Sequence, residues 1–179
     1  MRPFLAGVLT GTLVLLLSVF LFLHLGLAVV HADDTSPSWV ADFLDASIHA
    51  SVRRQASRQT TVVPIMENGI IAGGELYLND CVGCHGAPGK PASNFGASFY
   101  PPAPQLALKD TTYTEAEAFW IAKHGIRRSG MSAQSGPYSD DQLHQLSAFI
   151  CSMRRLPPGV MTALEQKTPT AAPPSESGK

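Results

Sequence analysis

Cys81 and Cys84 are separated by two residues, and His85 follows at once. Two thiols at this spacing with an imidazole directly after them make the attachment pattern of a c-type haem. Each thiol adds across a vinyl group, and the histidine reaches the iron from one face. Two other chemistries use similar letters. A thiol-redox CxxC follows a β-strand at a helix N-terminus, whereas the residues before Cys81 read as a helix. A structural zinc site needs a fourth ligand, and His144 and Cys151, seven residues apart, are the residues left to recruit. Three cysteines do not make a disulfide scaffold.

An iron held by His85 has a second face, which takes a ligand or stays open. His124, Met131, His144, Met153 and Met161 follow His85 and carry suitable side chains. Met131 is the preferred candidate. It follows Ile126, Arg127, Arg128, Ser129 and Gly130, an irregular stretch between two helices, and Gly130 permits close approach. His124 suits the last turn of a helix, where positive charge favours the dipole. Met153 reads as core and His144 as polar face. A thioether ligand raises the potential relative to two imidazoles. The Nδ1–H of His85 needs an acceptor to fix the ring, and the carbonyls of residues 101–104, three of them prolines, are suitably placed in the chain.

The elements that must position these residues are helical. Helical spacing of Ile70, Gly74, Tyr77 and Leu78 predicts a helix over 69–79, capped by Asn68, with Gly73 and Gly74 permitting a close crossing. Residues 86–113 hold five prolines and three of the glycines, which excludes a regular helix there. So long a loop needs something bulky to wrap. Thr114 and Glu117 form one capping box, Ser139 and Gln142 a second. Gly125 stops the first of these helices. Leu143, Leu146, Phe149, Ile150 and Met153 give the second an apolar face that Pro157 and Pro158 close. No convincing strand or repeat is present.

Residues 4–30 are almost wholly apolar, with His24 the one strongly polar side chain. Roughly 20 such residues span a bilayer core. The length favours an uncleaved anchor, although Val30, His31 and Ala32 also fit a signal-peptide cleavage site. Arg2 before the span and Asp33 and Asp34 after it put the N-terminus in the cytoplasm. The expected layout is an anchor or signal peptide at 1–32 and a linker at 33–65. In the linker, residues 39–44 start a short amphipathic helix, and Trp39 suits a membrane interface. A folded domain follows at 66–155, then a disordered Pro/Thr/Ala-rich tail at 156–179. The apolar N-terminus accounts for a charged fraction of only 15%, and a net charge of -1 argues against a nucleic-acid binder.

Taken in order, Gly73 to Tyr77, Cys81 to Gly86, Pro104 to Leu106, Ile126 to Met131 and Leu143 to Ile150 resemble the class I cytochrome c domain. The resemblance implies an all-α fold around one covalent haem c, here preceded by a single N-terminal transmembrane helix. It implies Cys81 and Cys84 as attachment residues, His85 and Met131 as axial ligands, and Gly74 and Tyr77 facing Phe149 where two helices cross. The family's Pro-x-Leu falls on Pro104, Gln105 and Leu106, which assigns the carbonyl behind His85 to Pro104. The layout is similar to membrane-anchored bacterial monohaem cytochromes. The expected role is single-electron transfer, without catalysis, on the periplasmic side of the inner membrane. The expected partner is an oxidase, a dehydrogenase or a quinol-oxidising complex. A permanently bound haem subunit and a haem with an open sixth site are the alternatives. Arg127 and Arg128 are either steering charges for an acidic partner or solvated side chains.

Overall fold

In the computed structural model, which describes residues 2–27, 38–59 and 65–167, the apolar N-terminal stretch is a single helix, α1, Arg2–His24. Its described side chains are all exposed. Thr12 and Ser18 donate their hydroxyls back to the Val8 and Val14 carbonyls, so neither is left without a partner on an apolar surface. Residues Pro3–His24 are long and apolar enough to cross a membrane. They belong to the first of two compact units, Met1–Asp34, and the rest of the chain, Thr35–Lys179, forms the second.

The second unit is entirely helical among the described residues. It contains α2 (Ser38–Gln59), α3 (Glu67–Asp80), α4 (Val82–His85), α5 (Asn94–Ala97), α6 (Glu115–His124), α7 (Asp140–Ser152), a 3₁₀ turn (Met153–Arg155) and α8 (Pro158–Lys167). The all-α expectation holds. Both capping boxes form: the Thr114 hydroxyl accepts from the Glu117 N–H, the Ser139 hydroxyl accepts from the Gln142 N–H, and both acceptor side chains reach back.

The core forms where α3 crosses α7. A Cβ on Gly73 would fall on the Gln145 carbonyl, and one on Gly74 would meet the Phe149 ring at 2.9 Å. The two glycines therefore let the backbones meet, and Tyr77 packs on Phe149 with ring centroids 5.5 Å apart. Leu143, Leu146, Phe119 and Met153 complete this core. Gly74 and Tyr77 face Phe149 as expected.

Four expectations are corrected. The short helix expected within the linker 33–65 is the 22-residue α2. It lies on α6, with Val52 and Ala56 buried, Arg53 Nε 3.7 Å from Glu117 Oε1, and His49 stacked on Tyr113 at 4.4 Å. Its buried stripe is narrow and partly alanine, so the apolar pattern in the sequence is faint. The tail expected to be disordered from 156 instead begins with α8, whose Val160 and Leu164 are buried against α3. Pro158 stands at the first helical position, where proline starts a helix rather than stopping one. Asn68 is not a cap, because α3 begins one residue earlier with Met66 at the N-cap and no side-chain cap. Within the loop 86–113, one helical turn, α5, does form. Residues 168–179 and the possible cleavage site at 30–32 lie outside the described residues.

Candidate functional site

The motif begins where α3 ends. The Cys81 N–H still donates to the Tyr77 carbonyl at 2.9 Å. Cys84 and His85 both turn back onto the Cys81 carbonyl, at 3.2 and 2.9 Å. Cys81, Cys84 and His85 therefore stand at i, i+3 and i+4 of one helical turn, the offsets that share a helix face. Gly86, buried and at φ 76°, ends the turn. The buried Tyr77 hydroxyl donates to the Gly86 carbonyl at 2.6 Å, tying the turn to the core.

His85 Nδ1 lies 2.9 Å from the Pro104 carbonyl oxygen. A carbonyl only accepts, so Nδ1 carries the proton and Nε2 keeps its lone pair for a metal. The Leu106 N–H donates to the His85 carbonyl at 3.1 Å, so residues on both sides of Gln105 hold His85.

Two residues that sequence reasoning did not single out fix the rest of the loop. Gln105 Nε2 donates to the Cys84 and Ala103 carbonyls at 2.9 and 3.0 Å, while its Oε1 accepts from the Ser93 N–H at 2.7 Å. The Ser93 hydroxyl donates to the Gly83 carbonyl and caps α5. Gly96, inside α5, packs so closely on the Cys84 carbonyl that no Cβ fits. The contacts to Gly83, Cys84 and Ser93 span 10 to 21 residues of chain, and no local pattern announces them. The polar residue between Pro104 and Leu106 was the one available signal.

Met131 closes a compact turn after α6. The Ile126 N–H donates to the Met131 carbonyl at 2.9 Å, and the Met131 N–H donates to the Ser129 hydroxyl at 3.1 Å. Arg128 adopts a left-handed conformation, φ 63°, within the turn. Gly130 does permit a close approach, and the group that approaches is Phe99: a Cβ there would meet the ring at 2.8 Å. Through Phe99, the loop that cradles Cys84 also abuts the turn that ends at Met131.

The other candidates have other surroundings. Met153 is buried in the core, as expected. His144, expected on a polar face, lies flat on Phe119 with centroids 4.0 Å apart. Its imidazole is a stacking partner joining α7 to α6. Exposed His124 packs beside Trp120 at 4.9 Å. Met161 is half-buried on α8.

Burial, with the nearby Asp80 and Cys84 contributing, pushes the Cys81 thiol up to about 12. A thiol-redox centre lowers its attacking thiol instead, so this environment disfavours thiol exchange. No three His, Cys, Asp or Glu side chains among the described residues converge as zinc ligands would, and Cys151 lies apart from the motif, donating to the Tyr113 carbonyl.

The donor set fits a covalent haem. Two neighbouring thiols and an oriented imidazole share one turn. The loop beside them carries Tyr100, whose hydroxyl is buried without a partner, and an exposed Phe95. Residues 68–150 match the family model of cytochrome c oxidase, cbb3-type, subunit III. No curated protein and no solved structure matches the chain.

Proposed function

Because residues 68–150 are a class I c-type cytochrome domain, which implies haem-based electron transfer, we propose that the chain is a membrane-tethered monohaem electron carrier. Cys81 and Cys84 would hold haem c through two thioethers, with His85 and Met131 as axial ligands. The observation that carries this reading is the 2.9 Å contact between His85 Nδ1 and the Pro104 carbonyl, made on the same helical turn as both cysteines.

When bound, the haem supplies a one-electron couple between ferric and ferrous iron. The chain's own work is to keep the surroundings the same in both states. Pro104 holds the imidazole, so its Nε2 points in a fixed direction. Gln105, Ser93 and Gly96 fasten the loop to the backbone of the attachment turn. The turn from Ile126 to Met131 is closed by its own hydrogen bonds, which limits how far Met131 can move. A Met131 thioether favours the reduced state relative to a second histidine. Helix α1, long and apolar enough to span a bilayer, would tether the domain to the inner membrane on its periplasmic side.

The description of the matched family as an oxidase subunit favours a second reading, in which this chain is a fixed haem subunit of a larger oxidoreductase. In either case the partner is a redox protein: an oxidase, a dehydrogenase or a quinol-oxidising complex.

Absorption spectra of the matured protein test the reading. The expected result is a c-type pyridine haemochrome, a weak methionine–iron charge-transfer band in the oxidised form, and no shift of the reduced form under carbon monoxide. Met131→Ala removes the band and admits carbon monoxide. A wild-type spectrum that lacks the band and binds carbon monoxide readily would instead mean an open sixth site. Absence of covalent haem after competent maturation would overturn the assignment. Copurification of the detergent-solubilised chain with a stoichiometric partner would favour the fixed-subunit reading.

A further inference from the structure

The helices α2 and α6 run in parallel. His49 stacks on Tyr113, Arg53 meets Glu117, and residues 48–55 of α2, with residues 120–127 at and after the end of α6, border an open groove of about 370 Å³. Ile48, Val52, Trp120 and Ile126 supply its apolar lining, and His124 and Arg127 stand at its edge. The groove adjoins the Met131 turn directly, because Ile126 donates to the Met131 carbonyl.

The charge at its Gln55 and Arg127 end is cationic, whereas Asp45, three residues before Ile48, stands at the other end, 3.6 Å from His49. Gln55 borders the groove, and Arg58 follows it by three residues on the same face of α2, with Arg54 beside it. From the other side come His124, Arg127 and Arg128. All five of these side chains are exposed. Among the described residues, the four arginines make no ion pair, whereas Lys123 and Arg53 are already engaged by Asp140 and Glu117. Cations near a helix C-terminus complement its dipole, and that accounts for His124. It does not account for Arg127 and Arg128, which lie beyond the end of α6, or for the half-buried Ile48, Trp120 and Ile126 between the charges.

From this juxtaposition we infer that the groove between α2 and α6 is the docking surface for the redox partner, and that it receives an acidic protein segment carrying an apolar side chain. The apolar side chain enters between the half-buried Ile48 and Trp120, over the buried Val52, and the segment's carboxylates face Arg54, Arg58, Arg127 and Arg128. Helix α2 lies outside the residues that match the family. It supplies one wall of the groove and two of its four arginines, so partner choice is set partly by a segment this chain adds to the shared domain. The identity of the partner as a redox protein rests on the function proposed above. The site itself rests on the groove and its charge.

The experiment uses the full haem-loaded chain in zwitterionic detergent. The probes are a synthetic peptide of glutamates and aspartates around a central leucine and phenylalanine, and the same peptide with lysine at each acidic position. Titration calorimetry should detect the acidic peptide and not the lysine peptide. Affinity should fall about tenfold from low to physiological ionic strength, as screening requires. Arg58→Glu and Arg127→Glu should each weaken binding by about threefold or more. Arg154→Glu, a reversal beside Asp110 on another part of the surface, should leave it unchanged. Equal binding of both peptides, or binding indifferent to Arg58→Glu and Arg127→Glu, would overturn the inference. So would a preference for anionic phospholipid vesicles over the acidic peptide that is lost in the same two variants. The haemochrome of every sample is recorded alongside. A protein without covalent haem that still binds the acidic peptide in this pattern overturns the cytochrome reading and supports the groove.

Discussion

Cys151 points its thiol at the Tyr113 carbonyl, Sγ to O 3.8 Å, from the middle of the last turn of α7. Burial first, then the neighbouring Glu115 and Glu117, push this thiol from 9.0 up to about 11. Both causes act the same way: each disfavours the thiolate, so the proton is held to higher pH than on an ordinary cysteine. In the proposed haem-loaded protein, where Cys81 and Cys84 would be thioethers, Cys151 would be the one free thiol of the three cysteines, and its reactivity could be read without interference. At pH 8 the thiolate fraction is lower by about a hundredfold, and alkylation by iodoacetamide should slow in proportion relative to an exposed cysteine. The rate should rise about tenfold per pH unit until the thiol itself titrates. Rapid stoichiometric alkylation at pH 8, followed by mass spectrometry of the intact protein, would show that this environment is wrong. The same environment makes Cys151 a poor partner for an intermolecular disulfide, and leaves it a small packed side chain with a weak hydrogen bond.

At the scale of elements, what the sequence made legible was local. Both capping boxes join residues three apart, so reading one partner predicts the other. The turn from Cys81 to His85 is similarly self-contained, and its three candidate residues could be named from spacing alone. The α3–α7 crossing is long-range, but two adjacent glycines in a helical pattern are conspicuous because they lower helicity and need a compensating reason. That reason is the Gln145 backbone, which occupies the space a Gly73 Cβ would take. Backbone cannot rotate away as a side chain can, so Gly73→Ala must push the two helices apart. The expected loss is about 1–3 kcal/mol. Gly83→Ala provides the contrast, since nothing lies within 4 Å of a Cβ there, and a small gain in helix propensity is expected instead. Denaturant midpoints of the two variants check this directly, and equal midpoints would mean that the crossing is looser than described. Ser93 and Gln105 were not legible for the opposite reason. Their partners are the carbonyls of Gly83 and Cys84, reached across an irregular loop, and a polar residue among prolines looks like any other loop residue until the loop is folded.

At the scale of the whole molecule, the matched segment 68–150 is shorter than the folded unit that contains it. Helix α2 precedes the segment and α8 follows it. The sequence reading saw only the start of α2 and missed α8, because each buries only a few small or medium side chains, Val52 and Ala56 in one, Val160 and Leu164 in the other. Prolines at 157 and 158 reinforced the impression of an ending, although Pro158 is where α8 begins. The consequence concerns stability. Leu164 lies against the same Gly74 that admits Phe149, so α3 is sandwiched between α7 and α8 at its glycine pair. Removing α8 would strip one side of that sandwich and expose apolar surface on α3 that the family segment alone does not cover. Burying a Val or Leu side chain is worth roughly 1.5–3 kcal/mol, so truncation after Pro157 should destabilise the protein by about 3–6 kcal/mol from Val160 and Leu164 together. Truncation after Lys167 retains both residues and is the reference against which the shorter protein is compared. Haem absorbance and far-ultraviolet circular dichroism, followed through a denaturant titration of both truncated proteins, separate the cases. If the shorter protein unfolds at the same midpoint as the longer, α8 contributes nothing to the fold and the domain does end near residue 155. If it unfolds earlier while keeping the same haem spectrum, the site is built by the family segment, and the chain stabilises it with a helix of its own.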